Sequence, residues 1–151
     1  MRKVALYGTL AVVIATLAHV LHGFAHAEHR VPLGAWQIVY VVLVLFLAPV
    51  VAATLLWTRL RWVGAWLLLA SMAGSLVFGL AFHFSISGPD NVLTLNPEAG
   101  RQALSASAVL VALTEAIGCI VGAWAFSKLP RSAEGAVSLI HPRSSCGEEV
   151  R

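Results

Sequence analysis

Apolar residues in this chain come in four long runs, roughly 4–27, 33–57, 62–84 and 103–127, separated by short polar interruptions. About 20 helical residues cross a bilayer core, so each run is long enough to span one. The interruptions predict the turns. Arg30-Val31-Pro32 is a very short link, and its proline suits the first turn of a following helix. Thr58-Arg59-Leu60-Arg61 is the second short link. Links this short force successive helices to lie antiparallel. The third connection, 85–102, is the sizeable one, with Gly88-Pro89-Asp90-Asn91 as a turn. In it Asn96-Pro97-Glu98 reads as a helix start: a capping residue, a proline and an acid in the first turn. The pattern predicts an all-α fold, an integral membrane antiparallel four-helix bundle. Its helices fall at about 4–27, 33–57, 62–84 and 98–127 in one domain, 1–129. Beyond Pro130 periodicity stops and Ser, Gly, Pro and Glu accumulate, which predicts a disordered cytoplasmic tail over 130–151.

Composition agrees with the pattern. The chain has 151 residues, 59% hydrophobic and 11% charged, against about 25% charged in soluble domains. Its mean hydropathy is +0.84. No stretch remains for a separate soluble domain. The formal charge of +3 does not point to nucleic acid, because the basic residues are sorted by side. Arg2, Lys3, Arg59, Arg61, Lys128 and Arg131 flank one set of helix ends, and only Arg30 and Arg101 flank the other. The positive-inside rule then places both termini in the cytoplasm of a multi-pass plasma (inner) membrane protein. Trp57, Trp62, Trp66 and Trp124 mark the inner interface and Trp36 the outer one. Small residues such as Gly8, Ala11 and Ala15 in the first helix, and Gly64, Ala65, Gly74 and Gly79 in the third, allow close helix contact. The same faces suit a homo-oligomer. Met1-Arg2-Lys3 with Ala25-His26-Ala27 also resembles a signal peptide, although the run is longer than a usual apolar h-region.

The chemistry concentrates in residues 18–29, which hold four of the six histidines. At ~100° per residue His19, His22, His26 and His29 fall within roughly 80° of one another, one stripe of imidazoles on one helix face. Histidine is the commonest metal ligand, and this spacing aims several rings at one locus. The topology brings His83 to the same end of the bundle. Glu115 lies ~18 Å below the entry of the fourth helix, near the midplane, where an ionisable residue is costly and marks function. The predicted metal set is His19, His22, His26, His83 and Glu115, with Gln37, Tyr40, His29 and Cys119 as secondary candidates. Asp90 reads as a turn residue, and His141 and Cys146 lie in the tail. Imidazoles suit copper, zinc and iron alike.

Four functions compete. A transition-metal site in the outer half can serve metal binding, transfer or redox chemistry. A b-type cytochrome subunit can hold one haem b between a helix-1 histidine and His83, with Gly23 and Gly79 giving the macrocycle room. A proton- or ion-coupled carrier fits less well, because the polar series stops below Glu115 with only Thr9, Thr16 and Thr54 beyond it. A non-catalytic structural or assembly subunit is the plainest reading. No nucleophile–base pair, phosphate loop, H-E-x-x-H motif or nucleic-acid module is present. Whether the chain is an enzyme stays open at this stage.

Overall fold

A computed structural model describes residues 2–28, 30, 32–88, 90–93 and 101–129. Among these there are no strands, and four helices are long and apolar enough to cross a membrane. Helix α1 is Arg2–Glu28, α2 is Ala35–Leu56, α3 is Arg61–Ser85 and α4 is Arg101–Lys128. The Asn96-Pro97-Glu98 start, the tail beyond 129, His29, His141 and Cys146 lie outside the described residues.

Side chains are sorted as in a bundle whose solvent is apolar. Leu6, Leu17, Leu21 and Phe24 of α1 and Leu113, Ile117 and Ile120 of α4 face outward, about half exposed or more. Inside, the buried core is small residues and a few large ones: Ala5, Val12 and Ala15 meet Ala52, Leu56, Leu68 and Met72. The small residues let the helices approach closely, and packing rather than hydrophobicity holds helices together in such a medium. Gly64 shows why. A Cβ there would lie 2.9 Å from both the Ala52 carbonyl oxygen and the Leu56 nitrogen, so α3 rests on the α2 backbone. Gly122 does the same against the Leu69 backbone of α3.

The turns follow from local chemistry. Arg30 takes a left-handed conformation, φ 52°, and its N–H donates to the Ala27 carbonyl at 3.3 Å, closing α1. Between α2 and α3, Thr58 Oγ1 donates to the Leu55 carbonyl and accepts from the Leu60 N–H at 3.0 Å. That threonine holds the tight link.

Two helices contain a widened, π-type turn. In α2 it covers Val41–Leu47, and the Ala48 N–H reaches back five residues to the Leu43 carbonyl. Pro49, which has no N–H to give, follows directly. In α3 it covers Ala81–Ser85, and the Ile86 N–H reaches the Ala81 carbonyl at 2.7 Å. Such bulges re-aim side chains and cluster at functional sites. The second one carries His83.

α1 packs along α4 and against the inner part of α2, Ala48–Leu56, but only sparsely against Val41–Leu47. The two helices therefore part toward the end that bears the histidines. A cavity fills the gap.

Candidate metal centre

His22, His26 and His83 converge at the histidine end of the bundle, 8%, 9% and 7% exposed. Two come from successive turns of α1 and the third from the widened turn of α3. The His22 Nε2 lies 3.0 Å from His83 Nε2 and 3.1 Å from His26 Nε2. Their rings stand edge to face, 82° between His22 and His26 and 87° between His22 and His83.

The outer nitrogens decide what those inner nitrogens can be. His83 Nδ1 lies 3.1 Å from the Asp90 carbonyl oxygen, which can only accept. His83 therefore carries its proton on Nδ1. The Ser107 hydroxyl donates to the Leu104 carbonyl at 3.0 Å, so it accepts from His22 Nδ1 at 2.9 Å. His22 carries its proton on Nδ1 too. His26 turns Nδ1 toward Asp90 Oδ1 at 3.8 Å. In neutral imidazole one nitrogen donates and the other only accepts. The facing Nε2 atoms of His22 and His83 are thus two bare lone pairs 3.0 Å apart. Lone pairs repel unless a cation lies between them. Tetrahedral zinc with Zn–N bonds of 2.0–2.1 Å sets its ligand nitrogens about 3.3 Å apart. The observed spacings of 3.0 and 3.1 Å are within a few tenths of that.

His19 belongs to a second group. Its Nδ1 donates to the Ala15 carbonyl at 2.7 Å, leaving Nε2 to face Glu115 Oε1 at 2.9 Å and Ser75 Oγ at 3.3 Å. Ser75 also donates to Glu115 Oε1. Glu115 is wholly buried, and its Oε2 has no hydrogen-bond partner among the described residues. His19 thus gives the enclosed carboxylate the partner that an ionisable group inside a bundle needs.

Both groups line one cavity of about 220 Å³, walled mainly by Val41, Leu45, Phe46, Phe78 and Val111. Asp90, 6% exposed, lines this cavity and also a second pocket with Gln37 and Ser87. The loop holding Asp90 is folded back on α3 by the Val92 N–H, which donates to the His83 carbonyl at 2.9 Å.

The predicted site residues are regrouped rather than gathered. His22, His26 and His83 meet, while His19 and Glu115 pair deeper in α1 and α4. Gln37 donates nothing to the cavity; its Oε1 accepts from the Gly34 N–H at 2.6 Å at the start of α2. Tyr40 stacks on Phe78 at 4.7 Å beside Gly74 and lines no part of the cavity. Cys119 packs against the apolar core and lines no part of the cavity. Gly23 and Gly79 do line it, but the 3.0 Å between His22 and His83 leaves no gap for a macrocycle between those two rings.

Sequence reasoning did not single out Ser75, Ser107 or the structural use of Asp90. A signal for Ser75 was present, since Ser75, Gly79 and His83 recur every four residues on one helix face. Ser107 is joined to the site only by packing across helices, and Asp90 by the folding of its loop back onto α3. Comparison of the chain with protein-family models, with curated proteins and with solved structures finds no match.

Proposed function

We propose that this chain is a four-helix integral membrane protein that carries one transition-metal ion, zinc, copper or iron, on His22, His26 and His83. The observation that carries the reading is the commitment of the His22 and His83 protons to Ser107 and the Asp90 carbonyl, which leaves bare Nε2 atoms facing each other. Outer-nitrogen hydrogen bonds of this kind orient metal-bound histidines. Three imidazoles leave a fourth coordination position, and here a cavity adjoins them. Sites of that type bind and activate ligands, whereas purely structural zinc sites are closed by four protein ligands. Asp90 lines both the cavity and a second pocket at Ser87, which supports entry of the ion from that side. With both termini cytoplasmic, the basic residues at 2, 3, 59, 61 and 128 lie inside and the centre opens outward.

Elemental analysis of detergent-purified protein, beside its visible spectrum, tests this. The expected result is one equivalent of metal without a Soret band, retained by wild type and lost by His83→Ala. Acidification is expected to release the ion, because protons compete for the same Nε2 lone pairs. A Soret band, or no stoichiometric metal after reloading with zinc, copper or iron salts, overturns the reading. Topology has its own test. A reporter fused after Lys128 is expected to read cytoplasmic and one inserted at Gly88 external; the reverse turns the centre inward.

A further inference from the structure

The cavity beside the triad has an opening that the metal does not require. Of its lining residues, Val20 and Gly23 on α1 and Leu33 ahead of α2 are exposed. They form the rim where α1 and the outer part of α2 part company. Val20 stands eight residues before the end of α1 at Glu28, about 12 Å at 1.5 Å per residue. An opening that reaches so far down the helix faces the bilayer, given the membrane reading above. Gly23 meets nothing: a Cβ built there has no atom within 4 Å.

The polar groups of this space are those of the triad, the His19–Glu115 pair, Ser75 and Asp90. Glu115 is wholly buried and is among the residues that line the cavity, and its Oε2 has no hydrogen-bond partner among the described residues. An acceptor left unpaired in such surroundings keeps the full cost of its lost hydration. With Oε1 engaged by His19 and Ser75, Oε2 is the acceptor a ligand hydroxyl can use. The walls in front of it, Phe46, Phe78, Leu45 and Val111, offer no polar partner of their own. At about 220 Å³ the space is smaller than the ~300 Å³ at which small-molecule pockets begin. It takes the head of a longer molecule and leaves the tail in lipid.

We infer that the cavity is a lateral binding site for a neutral, bilayer-dissolved amphiphile with a hydroxyl head, which enters between α1 and α2 and donates to Glu115. The inference rests on the membrane reading but not on metal loading. The head then lies between the His19–Glu115 pair and the open side of the triad, so the site is arranged to present a lipid-soluble hydroxyl compound to a bound ion.

A photoreactive long-chain alcohol carrying a diazirine, applied to the full-length protein in lipid nanodiscs with and without metal, tests this directly. Peptide mapping is expected to place labelling on residues 20–23 of α1 and on 33–46, the start of α2 and the two residues ahead of it. Excess 1-dodecanol is expected to suppress it several-fold, and dodecane, which lacks the hydroxyl, to leave it unchanged. Gly23→Phe fills open space at the rim, so it is expected to abolish labelling while metal content and the thermal unfolding midpoint stay as in wild type. Labelling spread over all lipid-facing helix surfaces, equal competition by dodecane, or undiminished labelling of folded Gly23→Phe overturns the inference. Metal content is read separately on the same samples, so absence of metal counts against the centre and not against this site.

Discussion

The two halves of the bundle use polar side chains in different ways. Toward the termini and through the middle, hydroxyls mostly bond their own helix: Thr54 to Val50, Ser71 to Leu68, Thr114 to Val111 and Ser127 to Trp124. Toward the histidine end Ser107 and Ser85 also bond their own helices, at Leu104 and Leu80, but side chains bond across helices as well, His22 to Ser107 and His83, and Ser75 and His19 to Glu115. A bond within one helix satisfies a polar atom without choosing a neighbour. A bond between helices fixes which faces meet. The terminal half is therefore specified by shape and small residues, with Trp57 Nε1 donating to Thr9 Oγ1 at 2.9 Å as a cross-helix exception. The histidine half is specified by hydrogen bonds around a cavity.

That contrast is broken most severely by His83→Ala. Loss of one of three ligands is expected to abolish stoichiometric metal binding while far-ultraviolet circular dichroism stays helical, because His83 is absent from the apolar core. Retention of one equivalent of metal by folded His83→Ala would falsify the triad as the centre. The mirror-image change is Leu68→Ala. Leu68 is fully buried in the apolar core, and truncating such a leucine costs about 2–5 kcal/mol. Its expected signature is a lowered thermal unfolding midpoint with one metal still bound at low temperature. If Leu68→Ala instead sheds metal as readily as His83→Ala does, the two halves are not separable and the comparison fails.

This division also governs how much of the molecule was legible in its sequence. The four helices, their short first and second turns and the close contacts of Gly8, Ala15 and Gly64 follow from run length and residue size, both local properties. The meeting of His83 with helix 1 was legible from topology alone. The grouping was not. Even helical spacing puts His19 on one stripe with His22 and His26, yet His19 turns to Glu115 because α4 brings a carboxylate within 2.9 Å of it. Nor does regular periodicity contain the widened turns at Val41–Leu47 and Ala81–Ser85, and the second of these bears His83. Tyr40 and Gln37 had suitable depth as candidates, but depth does not fix which way a side chain on a widened helix points. Tyr40 ends stacked on Phe78.

A smaller effect sharpens the claim that the outer nitrogens prepare the site. Ser107→Ala removes the acceptor of His22 Nδ1–H and nothing from the triad itself. Loss of such a supporting bond costs about 10–100-fold in metal affinity. The expected result is one equivalent still bound, with a dissociation constant raised by that factor in competition with a chelator. An affinity equal to wild type would mean that the His22 tautomer is not set by Ser107.

The finest test compares two serines one turn apart on α3. Ser71 and Ser75 are both buried, 4% and 2% exposed, and both hydroxyls are satisfied. Ser71 Oγ donates at 3.1 Å to the Leu68 carbonyl of its own helix, a group that the helix ladder also serves. Ser71→Ala is therefore expected to shift stability by less than ~0.5 kcal/mol. Ser75 instead links α3 to Glu115 of α4. Interhelical hydrogen bonds between membrane helices average about 0.6 kcal/mol and reach about 1.7. Ser75→Ala is expected to fall in that range, toward its upper end because Glu115 is wholly enclosed and would keep only His19. Denaturation of both variants in the same detergent gives the difference without an absolute scale. Equal losses at the two positions would show that cross-helix bonding does not distinguish the histidine half, whereas a larger loss at Ser75 assigns the difference to the partner helix rather than to the hydroxyl.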